Sequence, residues 1–349
     1  TMRCGITLYK IIFCKTGAKI LTSLLFLLAI ISSCNDNSSP QSPYADLLSQ
    51  PPFSGLTDSI QDEPNMDLLY FKRAVLLNTN NYLEPALADF QKAWLLKKDE
   101  RYAMGISNLL LESKPDSALV FLADALKILP NSLMLQLTLA KAYQAKGETD
   151  SAIQACDRML ATAPHQVDVL KLKADLLFHN DQASESIKLL EQAYALTPYD
   201  LELNYALANQ YAETENPKVL ALCDSLIRVD TLGLYAEPYY LKGIFYSNKN
   251  ENVKAIEQYN LSIQKNYQFL NAYIEKAKIQ YNEKKYSEAL KTAELAASIK
   301  STFPDAYFWV GKCKEAMGDL PNASVNYRRA FELDKTFTEA KEAMDRLSK

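Results

Sequence analysis

The sequence predicts an all-α fold, a solenoid of about eight helix–turn–helix units closed by a C-terminal capping helix. Three observations carry that expectation. Residues 133–166 and 167–200 superimpose as two gapless lines of 34 residues. Ala140 falls over Ala174, Tyr143 over Leu177, Ala152 over Ser186, Cys156 over Leu190 and Pro164 over Pro198. Self-similarity at this period is the mark of stacked helical hairpins. Within a line, Leu170, Ala174 and Leu177, then Ile187, Leu190, Ala193 and Tyr194, recur at helical spacing, one buried stripe per helix. Only nine glycines occur in 349 residues and strand signals are weak, which suits long helices.

The small residues Ala174 and Ser186 mark where two helix backbones approach closely, since a larger side chain would overpack the contact. Pro198 has no amide hydrogen and ends the second helix. One hairpin cannot cover its own apolar side; stacked neighbours do so.

Taken in order, residues 1–33 read as a secretion signal. Arg3, Lys10, Lys15 and Lys19 are its only charges, and Ile20 to Ile31 is an apolar run of signal-core length, short for a spanning helix. Ile31-Ser32-Ser33-Cys34 follows. Residues 34–63 are rich in Asn, Ser, Pro and Gln and are expected to form a disordered tether. Its reach is about 30 Å.

The repeats are expected over 64–337, at about 67–100, 101–132, 133–166, 167–200, 201–235, 236–269, 270–303 and 304–337. In 101–132 the first helix reads as Met104 to Leu111, short and out of register. In 201–235, Pro217 and Val219 replace the usual turn and small residue, and Gly233 lengthens the exit, so an irregularity is expected there. From Gly243 to Ala277 to Gly311 the step is again 34. Residues 338–349 carry Ala340, Ala343, Met344 and Leu347 on one stripe, as a capping helix would.

Residues 67–337 resemble the tetratricopeptide repeat family, carried by Leu139-Ala140, Tyr143, Gly147, Ala152 and Pro164 and their equivalents. The resemblance implies a right-handed superhelix with the first helices lining a concave groove. Carried over, the groove positions hold Lys171, Phe178, His179, Tyr205, Asn209, Tyr240, Asn248, Ile274, Lys278, Tyr281, Asn282, Phe308 and Lys312. Tyrosines beside asparagines and lysines suit an extended peptide or a partner helix. The lysine–asparagine clamp that some family members use on chaperone carboxyl termini is not matched, because tyrosines stand where lysines are needed.

Ile31 to Cys34 resembles the lipobox of bacterial lipoproteins. That resemblance implies cleavage before Cys34, acylation there, and a stable anchor from two or more acyl chains. The implied location is a bacterial envelope, at the outer membrane, Bacteroidota-like. Asp58-Ser59-Ile60, Asp116-Ser117-Ala118, Asp150-Ser151-Ala152, Asp224-Ser225-Leu226 and Asp230-Thr231-Leu232 resemble the short O-glycosylation motif of that phylum. Inside the repeats the helix-cap reading of these triplets is preferred, and Ser59 is the glycan candidate.

Chemistry has little to hold. There are two histidines, and no HExxH, CxxC or glycine-rich phosphate loop, so no enzyme, metal or cofactor is expected. His179 is the one conceivable base for a serine nucleophile. Cys156, Cys223 and Cys313 read as core thiols. Without residues 1–33 the balance is 34 basic against 42 acidic residues, net −8, which disfavours nucleic acid. The function expected is a membrane-anchored scaffold holding a protein or peptide partner. No small-molecule substrate is expected. The alternative is glycan capture, as by the nutrient-binding lipoproteins that carry these repeats with a sugar-binding lobe inserted; here the 34-residue step leaves no room for one.

Overall fold

A computed structural model describes residues 43–347. The signal segment and Cys34 lie outside the described residues. All regular structure among the described residues is helical, and the chain divides into two compact units at Leu96.

The first unit holds α1 (Ala45–Leu48), α2 (Ser54–Asp62), α3 (Asp67–Thr79) and α4 (Leu83–Leu96). The tether expectation is therefore corrected for residues 43–63. Leu48, Phe53 and Ile60 are buried, and Phe53 meets the ring of Tyr82 edge-on at 5.7 Å. Three large apolar side chains in a short segment are enough to fold it onto a neighbouring helix, whatever the surrounding Pro and Ser content. Thr57 fastens the contact. Its hydroxyl donates to the Leu48 carbonyl at 2.7 Å and accepts from Arg73 Nη1 at 2.9 Å. Arg73 also forks onto Asp89, Nε to Oδ2 at 2.6 Å and Nη2 to Oδ1 at 2.8 Å, with both side chains buried.

The second unit runs through α5 (Glu100–Ser113), α6 (Pro115–Ile128), α7 (Leu133–Ala145), α8 (Thr149–Thr162), α9 (Val167–Phe178), α10 (Ala183–Leu196), α11 (Leu201–Glu213), α12 (Lys218–Val229), α13 (Glu237–Asn248), α14 (Asn252–Lys265), α15 (Leu270–Asn282), α16 (Tyr286–Ile299), α17 (Pro304–Ala316), α18 (Leu320–Leu333) and α19 (Thr338–Leu347). Consecutive helices pair as antiparallel hairpins, each hairpin stacking on the next. The alanines at the predicted close approaches, Ala140, Ala174, Ala208 and Ala277, are fully buried.

The turns have a common physical basis. Gly147, Asp181, Glu215, Asn250, Lys284 and Gly318 all have φ between 54° and 84°. Each lets the next amide reach back five residues, as Glu148 N–H does to Tyr143 O at 2.9 Å and Lys285 N–H to Gln280 O at 2.9 Å. That bond satisfies a carbonyl the ending helix leaves open. The α5–α6 hairpin departs from this. Its first helix is full length, against the expectation of a short one, and Lys114 alone joins it to α6. Pro115 keeps Lys114 out of the helical region, at φ −149° and ψ 72°, so the bend is made in one residue.

The cap reading of the aspartate–serine triplets does not hold. Asp116 and Asp150 stand inside the first turns of α6 and α8, where their charge favours the amide end of the helix. Asp224 lies in the middle of α12 and pairs with Lys242 at 2.8 Å. Side-chain caps come from Asp99, Ser132, Asp200 and Asp319 instead.

Candidate functional site

The sequence-derived groove residues fall into groups with different duties. On α9, Lys171 sits 2.6 Å from Glu202 and 3.3 Å from Asp200, so its charge is spent tying one repeat to the next. It lines a cleft of about 340 Å³ with Lys141, Asp168, Asp175, Glu202 and Gln210. Phe178 is half-buried and edge-on to His179 at 6.1 Å. His179 is exposed, with Nδ1 2.9 Å from the Asp175 carbonyl of its own helix. Tyr205 is half-buried, and burial followed by nearby acidic groups pushes its hydroxyl up to about 12. Asn209 is half-buried.

Tyr240 is wedged between the rings of Tyr259 at 5.9 Å and Phe269 at 5.2 Å. Asn248 donates to the Ala212 carbonyl at 3.2 Å, a contact between successive first helices. Ile274 is a correction. It is 4% exposed and packs with Tyr273, Ala296 and Ala306. A branched aliphatic chain at that position gains more from the core than from solvent. Asn282 is exposed at the end of α15. Ser59 is a second correction: it is part of α2, and its hydroxyl donates to Gly55 O at 2.9 Å, so it is not on a free tether.

Lys278, Tyr281, Phe308 and Lys312 come together. Tyr281 meets Trp309 at 5.6 Å and Tyr286 at 5.2 Å. Lys278 bonds Glu275 at 2.6 Å and lies 6.0 Å from the Trp309 ring centre. Lys312 Nζ is 4.7 Å from the Trp309 centroid, 5.3 Å from Tyr281 and 5.7 Å from Phe308. Tyr281, Phe308 and Lys312 floor a cleft of about 710 Å³ between α15, α17, α18 and α19, walled by Glu315, Tyr327, Glu339, Glu342 and Arg346. Glu315 accepts from the Tyr327 hydroxyl at 2.6 Å and from Arg346. Arg346 and then Tyr327 hold its carboxyl below the usual carboxylate range.

Trp309, Glu315, Tyr327 and Arg346 are not among the groove residues expected from the sequence. Trp309 lies one residue off the carried-over spacing and packs against the Ala277, Ala293 and Val310 core with Lys312 over its ring. Glu315 does occupy a groove position and could have been found. Arg346 belongs to the capping helix, 31 residues later, and nothing local announces the pair.

The buried thiols have no outlet. Cys156, Cys223 and Cys313 are fully buried, and burial pushes them up to about 11, 12 and 12. Such thiols are inert. Among the described residues, no group of three or more metal-binding side chains converges.

The geometry defines a class: stacked helical hairpins whose first helices present aromatic and charged side chains to an open cleft, a scaffold fold suited to protein binding. Residues 109–176 match the tetratricopeptide repeat profile. A crystal structure of a tetratricopeptide repeat protein from Parabacteroides merdae superimposes with a TM-score of 0.58 at 15% identity, covering 71% of this chain and 98% of that one. At that identity the likeness concerns the fold. Among curated proteins, human protein O-mannosyl-transferase TMTC1 is 23% identical over 220 residues, which is 61% of this chain and 25% of TMTC1. Heat shock protein STI1 of Saccharomyces cerevisiae is 36% identical over 64 residues, 18% of this chain and 11% of STI1. The chain thus spans a quarter or less of these two relatives.

Proposed function

We propose that this protein is a scaffold that holds a protein or peptide partner against its first helices and performs no catalysis. The observation that carries it is the aromatic and lysine floor of the 710 Å³ cleft, where Tyr281, Phe308 and Lys312, with Trp309 packed behind Lys312, offer apolar area and hydrogen-bond donors together. Rigid aromatic rings at the centre of a cleft are the usual anchors of a protein interface. The histidine that a hydrolase would need is tied to its own helix backbone. The test is a photocrosslinking residue in place of Phe308, with exposed Val253 as control. Crosslinks to another polypeptide from position 308 and none from 253 are expected. Equal yields at both positions would remove the cleft as the site.

We further propose that the scaffold is lipid-anchored through Cys34 in a bacterial envelope. The support is the basic lead, the apolar run Ile20–Ile31 and the cysteine that follows it. Among the described residues no helix is long and apolar enough to cross a membrane. Cys34→Ala should move the protein from the membrane to the soluble fraction; unchanged fractionation would refute the anchor.

A further inference from the structure

We propose that the cleft at α17–α19 receives an acidic side chain of a peptide segment, with Lys312 as the recognising cation. This rests on the groove reading above and names the partner chemistry of that site.

Lys312 is held in place without being neutralised. Three ring faces surround its ammonium at 4.7–5.7 Å, and ring faces attract a cation through their quadrupoles. Yet among the described residues no carboxylate stands within salt-bridge distance, and no protein oxygen accepts from its N–H groups. The neighbours at related positions differ. Lys278, one repeat earlier, is bonded to Glu275, and Lys171 to Glu202 and Asp200. Glu315, three residues on, is already engaged by Arg346 and Tyr327. The cleft floor therefore carries a positioned cation with free donors beside apolar ring edges. A carboxylate arriving there gains charge-assisted hydrogen bonds. Little side-chain freedom is lost, because the rings have already fixed the lysine.

The mouth of the cleft sets a second condition. Glu339 and Glu342 on α19 are exposed at its rim and repel a uniformly acidic ligand. The segment that fits carries one acid inward and a basic side chain outward, with an apolar residue on the rings.

The experiment is a randomised hexapeptide display library panned on the full chain. The selected pool should be enriched in Asp or Glu with Lys or Arg nearby. A representative peptide should lose about tenfold in affinity with Lys312→Met, and equally when its own Glu becomes Gln, the size of a charge-assisted contact. Lys312→Met keeps an unbranched apolar stem on the rings, so helicity by circular dichroism should be unchanged, and Lys312→Arg should retain binding. Selection of acid-free peptides, or affinity indifferent to Lys312→Met, would overturn the inference. If such peptides still lose affinity with Tyr281→Ala, the groove reading survives alone. If no peptide is enriched, or binding ignores both substitutions, both readings fail.

Discussion

The close approach between hairpin helices is set by a pair of residues sixteen apart, and the two volumes compensate. Ala140 faces Cys156, Ala174 faces Leu190, and Ala277 faces Ala293. Where the second helix supplies a tyrosine, the first supplies glycine: a Cβ on Gly243 would stand 2.4 Å from the Tyr259 ring, and one on Gly311 2.8 Å from Tyr327. Gly243→Ala is thus expected to destabilise by about 1–3 kcal/mol by overpacking, despite alanine's better helix propensity. Adding Tyr259→Leu, the pairing already used at Ala174 and Leu190, should recover part of the loss in urea melts. Simple additivity of the two would show that the ring and the glycine do not compete for space. The turn residues make the opposite prediction. Glu215 and Lys284 hold φ of 54° and 62°, a region costly for side chains, so Glu215→Gly and Lys284→Gly should each stabilise by about 0.5–1 kcal/mol. Asp99 adds a pH dependence. Its bonds to Arg101 lower it from 3.8 to about 2. A carboxyl depressed on folding contributes stability above its unfolded value and loses it as pH falls from about 4 through 2. Solvent screening keeps the effect near 1 kcal/mol, and Asp99→Asn should flatten unfolding curves across that window.

Among the elements, the hairpins were legible in the sequence because each repeats its neighbour's apolar spacing. What repetition does not reach was misread. The α1–α2 segment has no counterpart in the repeats, and its composition suggested a tether. What folds it is the contact of Phe53 with Tyr82 and of Thr57 with Arg73, partners 16 or more residues away that composition cannot show. Similarly, α5 looked out of register because the missing residues are lost from its turn at Lys114, not from the helix. Removing one member of the Arg73–Asp89 pair strands a buried charge, so Arg73→Met should cost about 3–5 kcal/mol. Arg73→Met with Asp89→Leu should be far closer to wild type in thermal melts, since neither charge then needs a partner. A double variant as unstable as the single one would mean that the Thr57 contact, and not the ion pair, secures α2. The cleft was half legible for a related reason. Groove spacing points to Tyr281, Phe308 and Lys312, which sit on repeated helices, but misses Arg346, which reaches the cleft from a cap, and Trp309, which packs under Lys312 from an adjacent face.

At the scale of the molecule, a stack in which each hairpin touches only its neighbours is as cooperative as its weakest interface. In the 97–349 unit that interface is at α11–α12. The second helix has 12 residues where the other second helices of the unit have 14. Val219 fills the place of a small residue, and α11 packs more extensively on α13 than on its own hairpin partner. The long exit is held by Asp230, whose carboxylate accepts from Tyr235 N–H at 2.6 Å, and by Gly233 at φ 66°. The core still passes through this region: Leu203, Leu207 and Ala208 of α11 join Leu190 on one side and Leu241 and Phe245 on the other. Continuity therefore runs along the first helices, while α12 is fastened mainly by Val219, Leu222, Cys223 and Leu226. Such an element opens at lower free energy than the stack that carries it. Amide hydrogen exchange should show α12 exchanging before α10 and α14, with α11 protected alongside its neighbours. Asp230→Ala, which frees the Tyr235 amide, should speed exchange in α12 and the exit loop and leave α16–α19 unchanged. Uniform exchange across all second helices would mean that the stack opens as one body and that the irregular hairpin is not its weak point.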